Sequence, residues 1–142
     1  MNSFDARDYF QKMYRIVGAA MILYNELGHG FSEAVYQECL SILCQEEGIP
    51  WEREKKLTMH FHGQSLQKTY VADFVCYGDI VVELKAVSEV IPEHRAQLLN
   101  YLRITDSPAG VLINFGHPSF LVSGKYMFNP IKGEYDFVRG SI

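Results

Sequence analysis

Three charged side chains stand where buried strands would carry apolar ones. Asp73 lies inside YVADFVCY (residues 70–77), and Glu83 and Lys85 lie inside IVVELKAV (residues 80–87). Taking an isolated ion out of water costs several kcal/mol even after its surroundings relax. Two charges on one face of an apolar strand therefore need a compensating partner. A structural ion pair of Asp73 or Glu83 with Lys85 meets that need. So does a cation site, in which the carboxylates bind Mg²⁺ or Mn²⁺ and the lysine stands beside a water or phosphate; hard divalent ions prefer such oxygen donors. Both arrangements are open on these residues alone.

Other polar groups recur at useful spacings. Glu33 falls in the first turn of a predicted helix, where a carboxylate gains roughly 0.3–1 kcal/mol from the helix dipole. Tyr36 follows one turn later on the same face and suits either the core or a hydrogen bond to a site. Gln97 and Tyr101 are four apart on a later helix, with His94 one turn before Gln97, making a polar stripe. His60 and His62 alternate along a strand, as a zinc pair would, but no cysteine or carboxylate stands at ligand spacing, so they read as a solvated strand end. There is no GxxxxGK[ST], GxSxG or GxGxxG motif, which leaves nucleotide hydrolysis and serine-hydrolase chemistry without support.

The elements that must position these groups follow from periodicity and punctuation. Phe10, Met13, Val17, Met21, Tyr24 and Leu27 recur in steps of three and four, predicting a helix over Asp8–Leu27 that stops at Gly28 and Gly30. Ser32 is the expected cap of a second helix running to about Glu47, with Phe31 and Tyr36 placed as a hydrophobic staple. Gly48 and Pro50 close it. Leu57, Met59 and Phe61 alternate with polar residues as a strand, His62–Ser65 is a turn, and Tyr70–Tyr77 and Ile80–Val87 are two further strands. Pro92 opens a third helix to roughly Arg103, with Ala96, Leu99 and Leu102 expected inward. Val111–Ile113 is a short buried strand, Lys125–Phe128 one more, and the remainder a loose end. The order is α-α-β-β-β-α-β-β, which suggests a mixed sheet flanked by helices, an α/β (α+β) class. The run Glu52–Lys56 is mixed in sign and reads as a wet strand edge.

The pattern Asp-(nine residues)-Glu-x-Lys across a tight turn resembles the PD-(D/E)xK phosphodiesterase superfamily. Its restriction-endonuclease-like core of helix, three-stranded meander, helix and strand matches the order from Ser32 to Asn114. Gly30-Phe31-Ser32-Glu33-Ala34-Val35-Tyr36 also matches the GxxExxY motif that names a bacterial and archaeal family in that superfamily. The likeness continues through VADFV, VVELKAV, HRAQLLNYL and LINFG, over roughly residues 14–128. Asp73 follows Ala72 where the superfamily has proline, which leaves the metal-binding group itself unchanged. The resemblance implies that Asp73, Glu83 and the Leu84 carbonyl ligate Mg²⁺ or Mn²⁺, that Glu33 is a further ligand through water, and that Lys85 orients the attacking water. It gives Gln97 the positioning of that water or of a phosphate, and leaves Tyr36, His94 and Tyr101 as secondary candidates.

The whole chain of 142 residues is expected to form one domain, residues 1–142. At 48% hydrophobic residues it is too apolar for a disordered segment. Its net charge of −4 argues against holding nucleic acid or a membrane by bulk charge, though not against a local basic groove. No membrane span or secretory leader is expected, and Cys39, Cys44 and Cys76, an odd set without CxxC, point to reduced thiols and the cytoplasm. The expected function is a divalent-cation-dependent nuclease acting on DNA more than RNA. Its rival is a non-catalytic adaptor on the same fold, binding nucleic acid or a protein, or self-associating as a homo-oligomer.

Geometry constrains the site further. If Gly78-Asp79 were a plain two-residue turn, Asp73 would face Leu84 and lie on the sheet face away from Glu83. A three-residue loop over Tyr77–Asp79 sets Asp73 opposite Glu83, and one over Gly78–Ile80 sets it opposite Lys85. Either loop puts the three polar groups on one face, so the metal site requires one of them.

Overall fold

Side-chain caps start the two N-terminal helices of the protein, whose computed structural model describes residues 5–139. Asp5 accepts the N–H groups of Arg7 and Asp8 at the head of α1 (Ala6–Leu27). Ser32 accepts that of Val35 at the head of α2 (Glu33–Glu46). Each cap satisfies donors that the first helical turn leaves unpaired. Phe31 packs edge-on against Tyr36, their centroids 6.0 Å apart, as the expected staple. No helix among the described residues is long and apolar enough to cross a membrane.

The remaining elements are β1 (Trp51–Phe61), β2 (Gln64–Cys76), β3 (Ile80–Lys85), α3 (Pro92–Ile104), β4 (Ala109–Asn114), β5 (Val122–Asn129) and β6 (Glu134–Phe137). The strands form one sheet in sequence order. Only β3 and β4 run parallel, because α3 carries the chain back between them; every other neighbour pair is antiparallel. Helices α1 and α2 cover one face over a core that includes Met13, Ile16, Leu40, Phe74, Val82 and Ile113. Helix α3 covers the other through Leu98 and Leu102, against Ala72, Val75, Val81 and Leu112. This is the mixed sheet flanked by helices that the pattern implied, with β6 added inside the expected loose end. That strand is a four-residue edge with half of its positions exposed, so it carries no hydrophobic signature.

Several expectations need correction. The buried stripe of α1 is Tyr9, Met13, Ile16, Val17, Ala19, Ala20 and Leu23, rotated from the one counted on large residues and including two small alanines. On α3, Leu98 and Leu102 are buried and Leu99 packs partly against the same core, while Ala96 is exposed. The hairpin of β1 and β2 is much longer than Leu57–Phe61 and Tyr70–Tyr77 implied, because the added residues, 51–56 at its root and 64–69 near its turn, are mostly exposed and show no alternation. Its turn is only His62-Gly63, at φ 50° and 74°, the left-handed pair of a type I′ hairpin. Strand β3 ends at Lys85, not Val87.

Beyond that end a side chain continues the sheet. Asn114, fully buried at the end of β4, donates from Nδ2 to the Val87 carbonyl at 2.8 Å. Its Oδ1 accepts the N–H groups of Val87 at 3.0 Å and Gly116 at 3.1 Å. The Gly116 backbone passes so close that a Cβ there would lie 2.3 Å from the Val87 carbonyl oxygen. Overpacking against rigid backbone is poorly relieved. Gly116→Ala is therefore expected to lower stability by about 3 kcal/mol, read as a lower urea midpoint. Unfolding at the wild-type midpoint would show that this crossing is slack.

Candidate active site

The turn between β2 and β3 decides whether the carboxylates can meet. The observed pairs are Phe74 with Val82, Val75 with Val81 and Cys76 with Ile80, which leaves the three-residue loop Tyr77–Asp79. Tyr77 and Gly78 take φ of 54° and 84°. The same register carried outward sets Asp73 across from Glu83. There the ladder stops, and side chains replace backbone carbonyls. The Asp73 N–H donates to Glu83 Oε1 at 3.1 Å, and the Leu84 N–H donates to Asp73 Oδ2 at 2.8 Å. The strands part at this point, with a carboxylate bonded to each side of the seam.

The two carboxylates do not simply share one sheet face, as regular alternation would require. Along β2, Tyr70 and Ala72 face α3, whereas Phe74 and Cys76 face α1 and α2. The phase inverts at Asp73. Strand β1 inverts beside it, since Trp51 packs toward α1 and α2 but Leu57 and Met59 toward α3. The pairing skips Glu54 and Asp73 between Arg53–Phe74 and Lys55–Ala72, and Glu54 has φ 51°. Asp73 consequently sits in the seam and reaches α2, where its Oδ1 accepts Gln37 Nε2 at 3.2 Å. Gln37 Oε1 in turn accepts Arg53 Nε at 2.8 Å. Glu83 and Lys85 open on the other side, into a cavity of about 310 Å³ beneath α3 that Tyr70, His94, Gln97 and Tyr101 also line.

Burial, and then the charge of Asp73, push the Glu83 carboxyl up to about 7. Burial also raises Asp73, against the pull of the Leu84 N–H, Gln37 and Lys85. The Tyr70 hydroxyl is buried beside Glu83 without ideal hydrogen-bond geometry, and burial together with the Glu83 charge keeps it protonated. Its ring stacks on Tyr101 at 3.9 Å, joining β2 to α3. Adjacent carboxylates that resist ionisation in this way are relieved by a divalent cation, so the oxygen donors fit Mg²⁺ or Mn²⁺. Among the described residues no three His, Cys, Asp or Glu side chains gather into a metal-holding group. The donor set is thus a pair of carboxylates, suited to an ion that keeps several waters.

Five of the sequence candidates, Glu83, Lys85, His94, Gln97 and Tyr101, meet at the cavity, and Asp73 and Leu84 form the seam behind it. His94 also accepts the Ile91 N–H on Nδ1 at 3.2 Å, closing the start of α3. Glu33 is exposed at the head of α2 and does not line the cavity; it stands one turn before Gln37 on the same helix face. Tyr36 is turned away into the core. It stacks on Phe115 at 4.5 Å and donates to the Gly28 carbonyl. Gln37, Arg53 and Tyr70 were not singled out from the sequence. The one signal for Gln37 was its four-residue spacing from Glu33; for Arg53, inside a mixed charge run, there was none.

The sequence profile of the PD-(D/E)XK nuclease superfamily matches residues 11–124. The chain belongs to that superfamily. Among solved structures, it is similar to the crystal structure of SSO0001 at 16% identity and a TM-score of 0.46, over 75% of this chain and 60% of that one. The chain thus spans less than two thirds of that protein's length. No curated protein matches it.

The raised Glu83 carboxyl has a consequence for stability. A proton held more tightly in the folded state stabilises it fully below the ordinary value of 4.5, and that contribution is lost as pH rises through about 7. In EDTA the wild type should lose at most about 3 kcal/mol over that interval. Glu83→Gln keeps an acceptor for Asp73 N–H and should flatten the curve. Urea midpoints that change with pH equally in both proteins would show that Glu83 is not held in this way.

Proposed function

We propose that the protein is a divalent-cation-dependent nuclease of the GxxExxY type, hydrolysing a phosphodiester bond in DNA in preference to RNA. One observation carries this reading. Glu83, which is bonded to Asp73 across the seam, opens onto the cavity that Lys85 and Gln97 also line. A structural ion pair would need no cavity and no parted strands. The family assignment rests on the motif Gly30–Tyr36 and its companions. Cytoplasmic residence is part of the same reading and is supported by three free thiols.

In this reading Asp73, Glu83 and the Leu84 carbonyl hold the cation, and Glu33 reaches its water shell from the turn of α2 before Gln37. When bound, Mg²⁺ or Mn²⁺ supplies polarisation of the scissile phosphate and a lower pKa for a water. Lys85, a compact charge on a long stem, orients the attacking water and offsets negative charge developing on the phosphate. Gln97 bonds that water or a phosphate oxygen from α3, and His94 and Tyr101 complete the polar wall. Gln37, itself held by Arg53, fixes the Asp73 carboxylate and is a positioning residue.

The test is incubation with single- and double-stranded DNA and RNA in Mg²⁺, in Mn²⁺ and in EDTA. Cleavage is expected with metal only, to vanish on Asp73→Ala and to fall about 10–100-fold on Gln37→Ala. Cleavage of no substrate would overturn the enzyme reading in favour of the adaptor. Calorimetry supplies a second check, because the Glu83 proton must leave when the cation binds. Mn²⁺ affinity should fall roughly tenfold per pH unit below about 7. Zinc binding at these residues with no response to Mn²⁺ would count against the donor set.

A further inference from the structure

Residues 55–72 contain three lysines, two histidines and no carboxylate, in a chain whose net charge is −4. They form the outer part of the β1–β2 hairpin, and every residue from His60 to Thr69 is exposed. Lys55 is paired with Glu52 at 2.9 Å. Lys56 and Lys68 make no ion pair among the described residues. At the turn the Phe61 ring, 62% exposed, stacks on His62 with centroids 4.1 Å apart and planes 11° from parallel. The root of the arm is part of the site, because Thr69, Tyr70 and Val71 line the cavity that holds Glu83 and Lys85. From Thr69 to Gln64 the extended strand reaches ~16 Å outward.

Lysines that form no ion pair match a phosphate backbone, and an aromatic platform held in water matches the face of an unstacked base. A duplex hides its base faces unless a side chain unstacks them at a cost, so the stack is matched better by an unpaired strand. We propose that this arm binds a single-stranded stretch of the substrate, with Lys56 and Lys68 on phosphates and the Phe61–His62 pair against a base. It thereby makes a single strand, or a junction with one, the preferred substrate. The proposal rests on the phosphodiesterase reading of the cavity and extends it to the substrate's form.

Binding of fluorescent oligodeoxythymidine and of a mixed-sequence duplex, followed by anisotropy in EDTA, separates this claim from catalysis. The full chain should favour the single strand. Phe61→Ala, at an exposed position, should weaken single-strand binding roughly tenfold, while Phe61→Trp preserves it. Replacing Lys56 and Lys68 by Gln should flatten the dependence of log affinity on log salt by roughly 1.4, two single-strand phosphate contacts. Preference for the duplex, or single-strand binding unchanged by Phe61→Ala, would overturn the proposal. So would a wild-type dimer in sedimentation that Phe61→Ala dissociates without any change in binding, which would make the arm a contact with a second copy. Arm-dependent binding with no cleavage in Mn²⁺ would leave the proposal standing for binding and sink the nuclease reading instead.

Discussion

Two backbone N–H groups, those of Asp73 and Leu84, are bonded by carboxylates where a continuous sheet would use carbonyls. The rest of the site depends on that exchange. A regular ladder through Asp73 and Glu83 would close the seam and leave two buried charges with nothing to hold them. By parting, the strands expose donors that the carboxylates satisfy, which meets the rule that buried polar groups be hydrogen-bonded. The exchange offsets neither the burial of Glu83 nor its repulsion by Asp73, and Glu83 therefore holds its proton up to about 7. The fold stores an electrostatic deficit at the seam between β2 and β3.

The surrounding elements fix this seam from both sides. On the α2 side, Arg53 holds Gln37 and Gln37 holds Asp73. On the α3 side, stacking of Tyr101 on Tyr70 ties the helix to the strand that carries Asp73. Beyond Lys85 the chain is held by Asn114 and by the close passage of Gly116, so the lysine sits on a strand anchored just past its end. Separate apolar cores on the two faces hold the sheet between them. Such support keeps a constellation of polar groups in place. Charge is distributed unevenly over this frame, with a basic, wet hairpin projecting from an acidic body.

Local signals were legible wherever one short stretch of chain had one physical job. Ser32 had to cap α2, and Phe31 and Tyr36 had to staple it. Gly78 could supply the positive φ of a three-residue loop, and charges at Asp73, Glu83 and Lys85 had no place in an ordinary buried strand. The tertiary structure decided everything that depends on two distant segments meeting. It chose the Tyr77–Asp79 loop over its alternative. It inverted the phase of β1 and β2 together at Glu54 and Asp73, which alternation within either strand does not reveal. It brought Gln37 to Asp73 across 36 positions of sequence and turned Tyr36 inward to Phe115. It also extended β1 and β2 through residues wet on both faces. Periodicity reports burial on one side only, so a strand with no buried side leaves no pattern, and a contact between distant segments exists only once the chain has folded.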